Sequence, residues 1–347
     1  MGRDKIASII VIALNEEKYL DKLLESIKQQ SYAKKLTEIV FVDGGSTDLT
    51  QEKFFQFKKN NIKEYMDIQI LQNDKKIQAA GRNLGMKAAK GDIFFHVDAH
   101  SFLTKDFVEN AIRHVEEGYS IVGSICERVS LNQTLKSRLI LDAENAVFGS
   151  SVGAHKKTEI SVPLEVDTTN QLILTRQVYE TIGVYNEKYL RAEDNDYSFR
   201  IRSNGFKIIM FSDVKSFYFV RDDIKGMLKQ KFNNGKWITI AAKSNIKMFS
   251  LYHFIPLLFF LSLCASIALG VMGLSLMWKN PLFLIALIPL FLIFVLYGFL
   301  DAVITLKSII NEKKFSMALV FFIFPLMHIC YGIGSFYGFF IRGQNED

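Results

Sequence analysis

The chain has 347 residues, 49% hydrophobic and 22% charged, with a formal net charge of +6 at pH 7. That length exceeds one ordinary domain. The modest positive charge suits a protein lying against an anionic membrane face, and without a basic–aromatic pattern no nucleic acid is expected as a partner. Cys126, Cys264 and Cys330 are widely scattered, which excludes a disulfide framework or a cysteine metal cluster. The N-terminal Met-Gly-Arg-Asp-Lys leads into an apolar stretch that Asn15-Glu16-Glu17 soon interrupts. It does not read as a signal peptide, so the soluble part is expected to stay in the cytosol.

Ala7–Leu14 is a continuous apolar run, read as a first buried strand. In the helix that follows, Leu20, Leu23, Leu24 and Ile27 make one packing stripe. Glu38–Val42 is a second strand, running into Asp43-Gly44-Gly45-Ser46-Thr47-Asp48. The glycines allow a tight turn, and Thr47 or Asp48 can cap a helix whose stripe includes Phe54 and Phe57. Ile68–Leu71 is a short third strand, and Gln78–Lys90 a helix of small residues. Strands alternating with helices over short loops imply a parallel, doubly wound α/β sheet.

Gly91-Asp92-Ile93-Phe94-Phe95-His96-Val97-Asp98-Ala99-His100 follows. Ile93, Phe94, Phe95 and Val97 read as a strand buried on both faces. Ligands of open α/β sheets bind beyond the carboxyl ends of such strands. Asp98 and His100, two apart, face the same side there. A carboxylate and an imidazole so placed can share one divalent cation. Asp43, directly after the second strand, can hold a ribose hydroxyl or a base edge. Neither a Rossmann phosphate loop nor a Walker loop is present, so a nucleotide's phosphates would be neutralised by a metal and Arg82.

Thr104 or Asp106 can cap a helix running through Glu117 to Gly118. Ser120–Ile125 reads as a strand, Arg138–Ser150 as a helix before a Gly/Ser segment, and Val166–Leu174 as a strand. Thr175 starts a short helix ending near Gly183. Arg191-Ala192-Glu193-Asp194-Asn195-Asp196 opens a helix that faces Tyr197 and Ile201 inward and stops at Gly205. Acidic residues in a first turn are favoured by the helix macrodipole alone.

Asp223–Lys247 mixes lysines with Met227, Leu228, Phe232, Trp237 and Ile238, which reads as a basic amphipathic helix in the membrane interface. Beyond it, Leu257–Met277, Pro281–Leu300 and Phe315–Ile341 contain no Asp, Glu, Lys or Arg. Each can cross a hydrocarbon core of about 30 Å as a helix. The expected partition is residues 1–222 as an α/β domain, 223–250 as the interfacial helix and 251–347 as about three transmembrane helices.

Ile9-Ile10-Val11-Ile12-Ala13-Leu14-Asn15-Glu16-Glu17, Val42-Asp43-Gly44-Gly45-Ser46-Thr47-Asp48, Gly81-Arg82-Asn83-Leu84-Gly85, Gly91-Asp92 and Asp98-Ala99-His100, in that order, resemble family 2 glycosyltransferases of the GT-A fold. The Val-Asp-Ala-His form resembles the branch of succinoglycan-type exopolysaccharide transferases. The resemblance covers roughly Ile6 to Lys236. It implies a nucleotide-sugar donor, usually a UDP-sugar. Asn15, Glu17 and Asp43 would lie near the nucleoside, Arg82 and Asn83 near the ribose and diphosphate. Most of the family has Asp-x-Asp where this chain has Asp98-x-His100; an imidazole there favours Mn²⁺ relative to Mg²⁺. The family's Glu-Asp pair matches Glu193-Asp194, with Asp194 as the catalytic base. One such base, with a metal on the departing diphosphate, points to a direct inverting displacement.

Gln230 and Gly235-Lys236-Trp237 stand where related polymerising enzymes carry Gln/Arg-x-x-Arg-Trp. The motif is incomplete here, which argues against a processive polymerase. Glu193, Gln230, Lys236 and Trp237 are the expected acceptor-side residues. The expected protein is a multi-pass enzyme of the cell membrane with its catalytic domain in the cytoplasm. It would add one sugar to a lipid-linked saccharide during exopolysaccharide or surface-glycan synthesis, with other glycan-assembly proteins as partners. Two rivals are a polyprenyl-phosphate glycosyltransferase and a non-catalytic scaffold of a glycan-synthesis complex. Product analysis with both lipid acceptors separates the first, and nucleotide-sugar turnover excludes the second.

Overall fold

The computed structural model describes residues 4–149 and 163–341. The chain divides into two compact units. One comprises the described residues within Met1–Val129 and Lys156–Phe219, the other those within Ser130–His155 and Val220–Asp347.

The first unit is built on a nine-stranded sheet. Its strands are β1 (Ala7–Ala13), β2 (Thr37–Asp43), β3 (Asp67–Gln72), β4 (Ile93–Asp98), β5 (Ser101–Leu103), β6 (Ile121–Val129), β7 (Leu164–Val166), β8 (Leu172–Thr175) and β9 (Ile208–Phe219). The spatial order is β3-β2-β1-β4-β8-β6-β9-β5, with β7 also on β9. The first four strands are parallel, as the alternation of strands and helices requires. Helices α1 (Glu17–Lys28), α2 (Thr50–Asn61) and α3 (Gln78–Ala88) make the crossovers.

Beyond β4 the expected all-parallel sheet becomes mixed. β8 runs antiparallel to both β4 and β6, and β5 antiparallel to β9. The expected strand Val166–Leu174 is two short strands, β7 on β9 and β8 between β4 and β6. β9 has no counterpart in the sequence reading. Its alternation is broken at Ser212-Asp213 and Lys215-Ser216, where its register on β6 shifts between Ser124 and Ile125.

The core lies on both faces of the parallel half. β2 is buried along its whole length. Phe41 stacks on Phe54 with ring centroids 4.3 Å apart, joining α2 to the sheet. Burying each such ring contributes roughly 1.5–3 kcal/mol. Two glycines let α3 and the turn into β4 lie hard against β1. A Cβ on Gly85 would stand 2.4 Å from Ile10 Cγ2, and one on Gly91 2.3 Å from Ser8 Oγ. That approach brings Arg82 and Asn83 down to the sheet surface. The remaining helices are α4 (Phe107–Glu116), α6 (Arg176–Ile182) and α7 (Glu193–Ser203).

The second unit is helical. It contains α5 (Leu135–Asn145), α8 (Ile224–Ser244), α9 (Ile255–Leu276), α10 (Ile288–Glu312) and α11 (Val320–Phe340). The expected helix Arg138–Ser150 is α5, ending at Asn145; the Gly/Ser segment after it lies outside the described residues. α5 and α8 both fall within this unit. α8 begins at Asp223, whose carboxylate accepts from the Gly226 amide at 2.7 Å. It packs backbone to backbone on α11. A Cβ on Gly235 would lie 2.1 Å from Tyr331 O, and one on Gly334 2.0 Å from Phe232 O. Small residues permit such close helix crossings.

Leu251–Leu276, Pro281–Glu312 and Phe315–Phe340 are each long and apolar enough to cross a membrane. Asp301 is 0% exposed and accepts from Thr305 Oγ1 at 3.2 Å. His328 takes Tyr297 Oη at 2.9 Å on Nδ1 and donates to Phe148 O at 2.7 Å from Nε2.

Candidate active site

The site lies in the first unit, at the carboxyl ends of the parallel strands. After β1, Asn15 adopts a left-handed conformation (φ 55°), which asparagine tolerates better than most residues. Its amide N–H donates to Ser46 Oγ at 2.9 Å, and its Oδ1 accepts from the Thr47 amide at 2.8 Å. Glu17 Oε2 accepts from the Leu49 amide at 2.8 Å, while the Glu17 amide donates to Asp48 Oδ2 at 3.1 Å. Asp48 thus braces the turn before α2, also accepting from the Thr50 amide at 3.0 Å; the N-cap residue itself is Leu49. Asp43 is buried and accepts from the Gly45 and Ser46 amides, each at 3.2 Å to Oδ2. Asn15, Glu17 and Asp43 therefore stand together and shape one loop, residues 43–49. Gly45 at φ +81° makes its turn.

β4 delivers Asp98, the turn after it His100, and its neighbour α3 delivers Arg82. Arg82 Nη2 lies 3.3 Å from Asp98 Oδ1, and Arg82 Nε 3.8 Å from Glu193 Oε1. With its amide oxygen facing Arg82, Gln78 accepts from Nη2 at 3.1 Å and donates to Glu193 Oε1 at 3.3 Å. The guanidinium also lies over the Tyr185 ring, 5.5 Å from its centroid. Burial works against the Arg82 charge, but Tyr185, Asp98, Glu193 and Asp194 together hold its pKa above the ordinary value. Beneath it, His96 is buried, and its Nε2 has no hydrogen-bond partner. Burial first, and Arg82 second, hold His96 neutral, well below its usual pKa.

Asn83 points inward, 8% exposed, and is fully engaged. Its Oδ1 accepts from the Tyr185 amide at 2.7 Å, and its Nδ2 donates to Tyr185 O at 2.9 Å and Glu187 Oε1 at 3.0 Å. It ties α3 to the segment that leads into α7. Ala192, left-handed at φ 68°, then turns the chain into that helix. Glu193 is buried at 3% exposure and Asp194 is exposed. A guanidinium near Glu193 would by itself lower its pKa. Burial and the adjacent Asp194 outweigh it, and Glu193 is pushed up to about 7. Asp194 Oδ1 accepts from the Asn195 amide at 2.9 Å.

His100 Nδ1 lies 3.2 Å from Glu16 Oε1, and its ring is edge-on to Tyr218, centroids 4.7 Å apart. Neither Arg82 nor Glu16 occupies Asp98 Oδ2 or His100 Nε2, and both are metal-donor atoms. Among the described residues no group of three or more His, Cys, Asp or Glu side chains converges as a complete metal site. A cation here would fill its remaining positions with water and ligand oxygens.

Asn15, Glu17 and Asp43 thus form one loop cluster, and Arg82, Asp98, Glu193 and Asp194 a second group. Gln230, Lys236 and Trp237 are half-buried on α8, in the other unit, where Lys236 Nζ lies 4.9 Å from the Trp237 ring and 5.5 Å from the Tyr337 ring. Sequence reasoning missed Gln78, Tyr185 and Glu16 as parts of the constellation. Glu16 had a signal, since it sits in the Asn15-Glu16-Glu17 triplet. Tyr185 and Gln78 had none.

Residues 8–170 match the family model described as glycosyl transferase family 2. The chain is 28% identical over 234 residues to a dolichyl N-acetyl-alpha-D-glucosaminyl phosphate 3-beta-D-2,3-diacetamido-2,3-dideoxy-beta-D-glucuronosyltransferase of Methanococcus voltae, covering 66% of this chain and 71% of that one. It is 24% identical over 243 residues to the succinoglycan biosynthesis protein ExoA of Rhizobium meliloti, covering 68% and 71%. Its fold is similar to that of the mannosyltransferase PcManGT from Pyrobaculum calidifontis, solved with GDP-Man and Mn²⁺. The TM-score is 0.58 at 14% identity, over 96% of this chain and 88% of that one. The chain carries a family 2 glycosyltransferase domain on a GT-A-type sheet, and it is a glycosyltransferase.

Proposed function

We propose that this is a membrane-anchored, inverting glycosyltransferase that moves one sugar from a nucleotide donor, a UDP-sugar, to a lipid-linked saccharide in exopolysaccharide or surface-glycan synthesis. The observation that carries this reading is the single buried guanidinium of Arg82 between Asp98, at the donor end of β4, and Glu193, beside the exposed carboxylate of Asp194. The name of the Methanococcus relative supports a lipid-linked acceptor, and that of the Rhizobium relative supports a role in exopolysaccharide synthesis.

In this reading the loop held by Asn15, Glu17 and Asp43 receives the nucleoside, and Arg82 stands by the diphosphate. Asn83 acts by fixing the Tyr185–Glu187 segment. Asp194, solvent-accessible at the start of α7, accepts the proton of the acceptor hydroxyl as that oxygen attacks the anomeric carbon. An alcohol with a pKa far above 7 needs such a base. Attack from the face opposite the leaving diphosphate inverts the anomeric configuration. Asp98 and His100 would hold Mn²⁺ or Mg²⁺, which when bound neutralises charge on the leaving diphosphate. Glu193, Gln230, Lys236 and Trp237 are the acceptor-side residues. α8 lies in the membrane interface, the three apolar helices span the membrane, and the catalytic domain is cytoplasmic.

The test is turnover by the purified full chain of a panel of nucleotide sugars, with a polyprenyl-diphosphate-linked saccharide and a bare polyprenyl phosphate as alternative acceptors. Sugar transfer to the saccharide is expected. Transfer only to the bare phosphate would replace the acceptor assignment, and no turnover of any donor would refute the reading.

A further inference from the structure

Glu16 has no part in the roles assigned above, yet its side chain is only 14% exposed and that of His100 only 20%. Oε1 of Glu16 lies 3.2 Å from His100 Nδ1. An ionised carboxylate can only accept, so Nδ1 is the donor and Nε2 is left with the lone pair. Both main chains are fixed. The Glu16 amide donates to Thr50 Oγ1 at 2.8 Å, and its carbonyl accepts from the Tyr19 and Leu20 amides at 3.0 and 3.2 Å. The His100 carbonyl accepts from the Phe219 amide at 2.9 Å. Tyr218 and Tyr19 meet the imidazole edge-on, with centroids 4.7 and 6.4 Å away. An exposed ion pair between mobile side chains would carry little meaning. This pair is enclosed, and its ring is oriented from three sides.

We infer that Glu16 is a positioning residue for a divalent cation: its carboxylate holds the His100 ring in the Nδ1–H tautomer and so presents Nε2 to a cation shared with Asp98. A carboxylate behind a ligating histidine fixes its orientation and raises its basicity. Arg82 acts in parallel on the other ligand, engaging Asp98 Oδ1 and leaving Oδ2. The inference rests on the assignment of Asp98 and His100 as cation ligands.

The experiment titrates Mn²⁺ into the full-length protein with UDP present and reads bound metal by electron paramagnetic resonance. Glu16→Ala should weaken Mn²⁺ binding by about 10- to 100-fold, as loss of a carboxylate behind a metal-bound histidine does elsewhere. UDP binding in chelator should not move, since Glu16 is given no contact with the nucleotide. Asp98→Ala serves as the control that abolishes metal binding. Wild-type Mn²⁺ affinity in Glu16→Ala, with binding lost in Asp98→Ala, overturns the role of Glu16 and leaves the ligand assignment standing. Absence of Mn²⁺ binding to the wild type overturns both. A second measurement does not depend on the variant folding. The ¹⁵N shifts of His100 in the metal-free wild type, assigned by comparison with His100→Asp, should report Nδ1 protonated and Nε2 bare. The opposite tautomer overturns the inference.

Discussion

Arg82 Nε lies 3.8 Å from Glu193 Oε1, with the two side chains only 6% and 4% exposed. Burial makes Glu193 a pH-dependent element in spite of that contact. Its pKa stands at about 7 in the folded protein against an ordinary 4.5, because burial and Asp194 outweigh Arg82. A raised carboxyl pKa means that the folded chain keeps a proton the unfolded chain releases. The stability it supplies is complete below about pH 4.5 and is lost as pH rises through about 7. Glu193→Gln cannot ionise and should lose that slope. Thermal midpoints of the two proteins should therefore diverge, in favour of the variant, between about pH 5 and pH 8. Parallel curves across that window would show that Glu193 does not titrate there.

Asp194 is exposed and, among the described residues, hydrogen-bonded within its own turn, to the Asn195 amide and side chain. Asp194→Asn should therefore leave the fold and donor binding intact. Turnover should fall by a factor of about 10² or more, since a general base is removed. Steady-state kinetics beside UDP-binding measurements check this. Wild-type turnover in a normally folded Asn variant would mean another group takes the proton.

The cation is expected to bind through one carboxylate and one imidazole. Chelation with EDTA should abolish activity, with Mn²⁺ restoring it best. Asp98→Ala should end metal-dependent UDP binding. His100→Asp converts the donor set to oxygen only and should shift the preference toward Mg²⁺, the harder ion. Activity assays across a series of metals decide it; full activity in chelator is the result that contradicts it.

The three apolar helices carry a topological prediction. With the catalytic domain in the cytoplasm, the first span exits, the second returns and the third exits again. Lys313 and Lys314, between the second and third spans, and Lys307, near the end of the second, then fall on the cytoplasmic side, against Lys279 alone between the first and second. That asymmetry follows the positive-inside rule. Arg342 and the acidic tail Gln344-Asn345-Glu346-Asp347, on the far side in this scheme, lie outside the described residues. A reporter active only outside the cytoplasm should give signal when fused after Asp347 and none when inserted at Asn311. The reverse pattern would require a different number of spans.

Local periodicity by itself determined the parallel half of the sheet, the helices that cross it and the three apolar spans. It also placed Asp98 at a strand end with His100 two residues on, in the turn between β4 and β5. Tertiary structure alone decided what those groups touch. Glu16 reaches His100 across 84 residues of sequence, and Asn83 reaches Tyr185 across 102. No local pattern encodes such pairs. Asn83 matched a motif, yet packing turned its amide inward to hold the chain before α7. The pKa of Glu193 depends on burial by segments far away in sequence. β9 was hidden because its alternation is broken where it bulges against β6, and only the neighbouring strand reveals its register. Residue type and spacing carried the chemistry available to this chain; the order in which its charges meet depended on long-range packing.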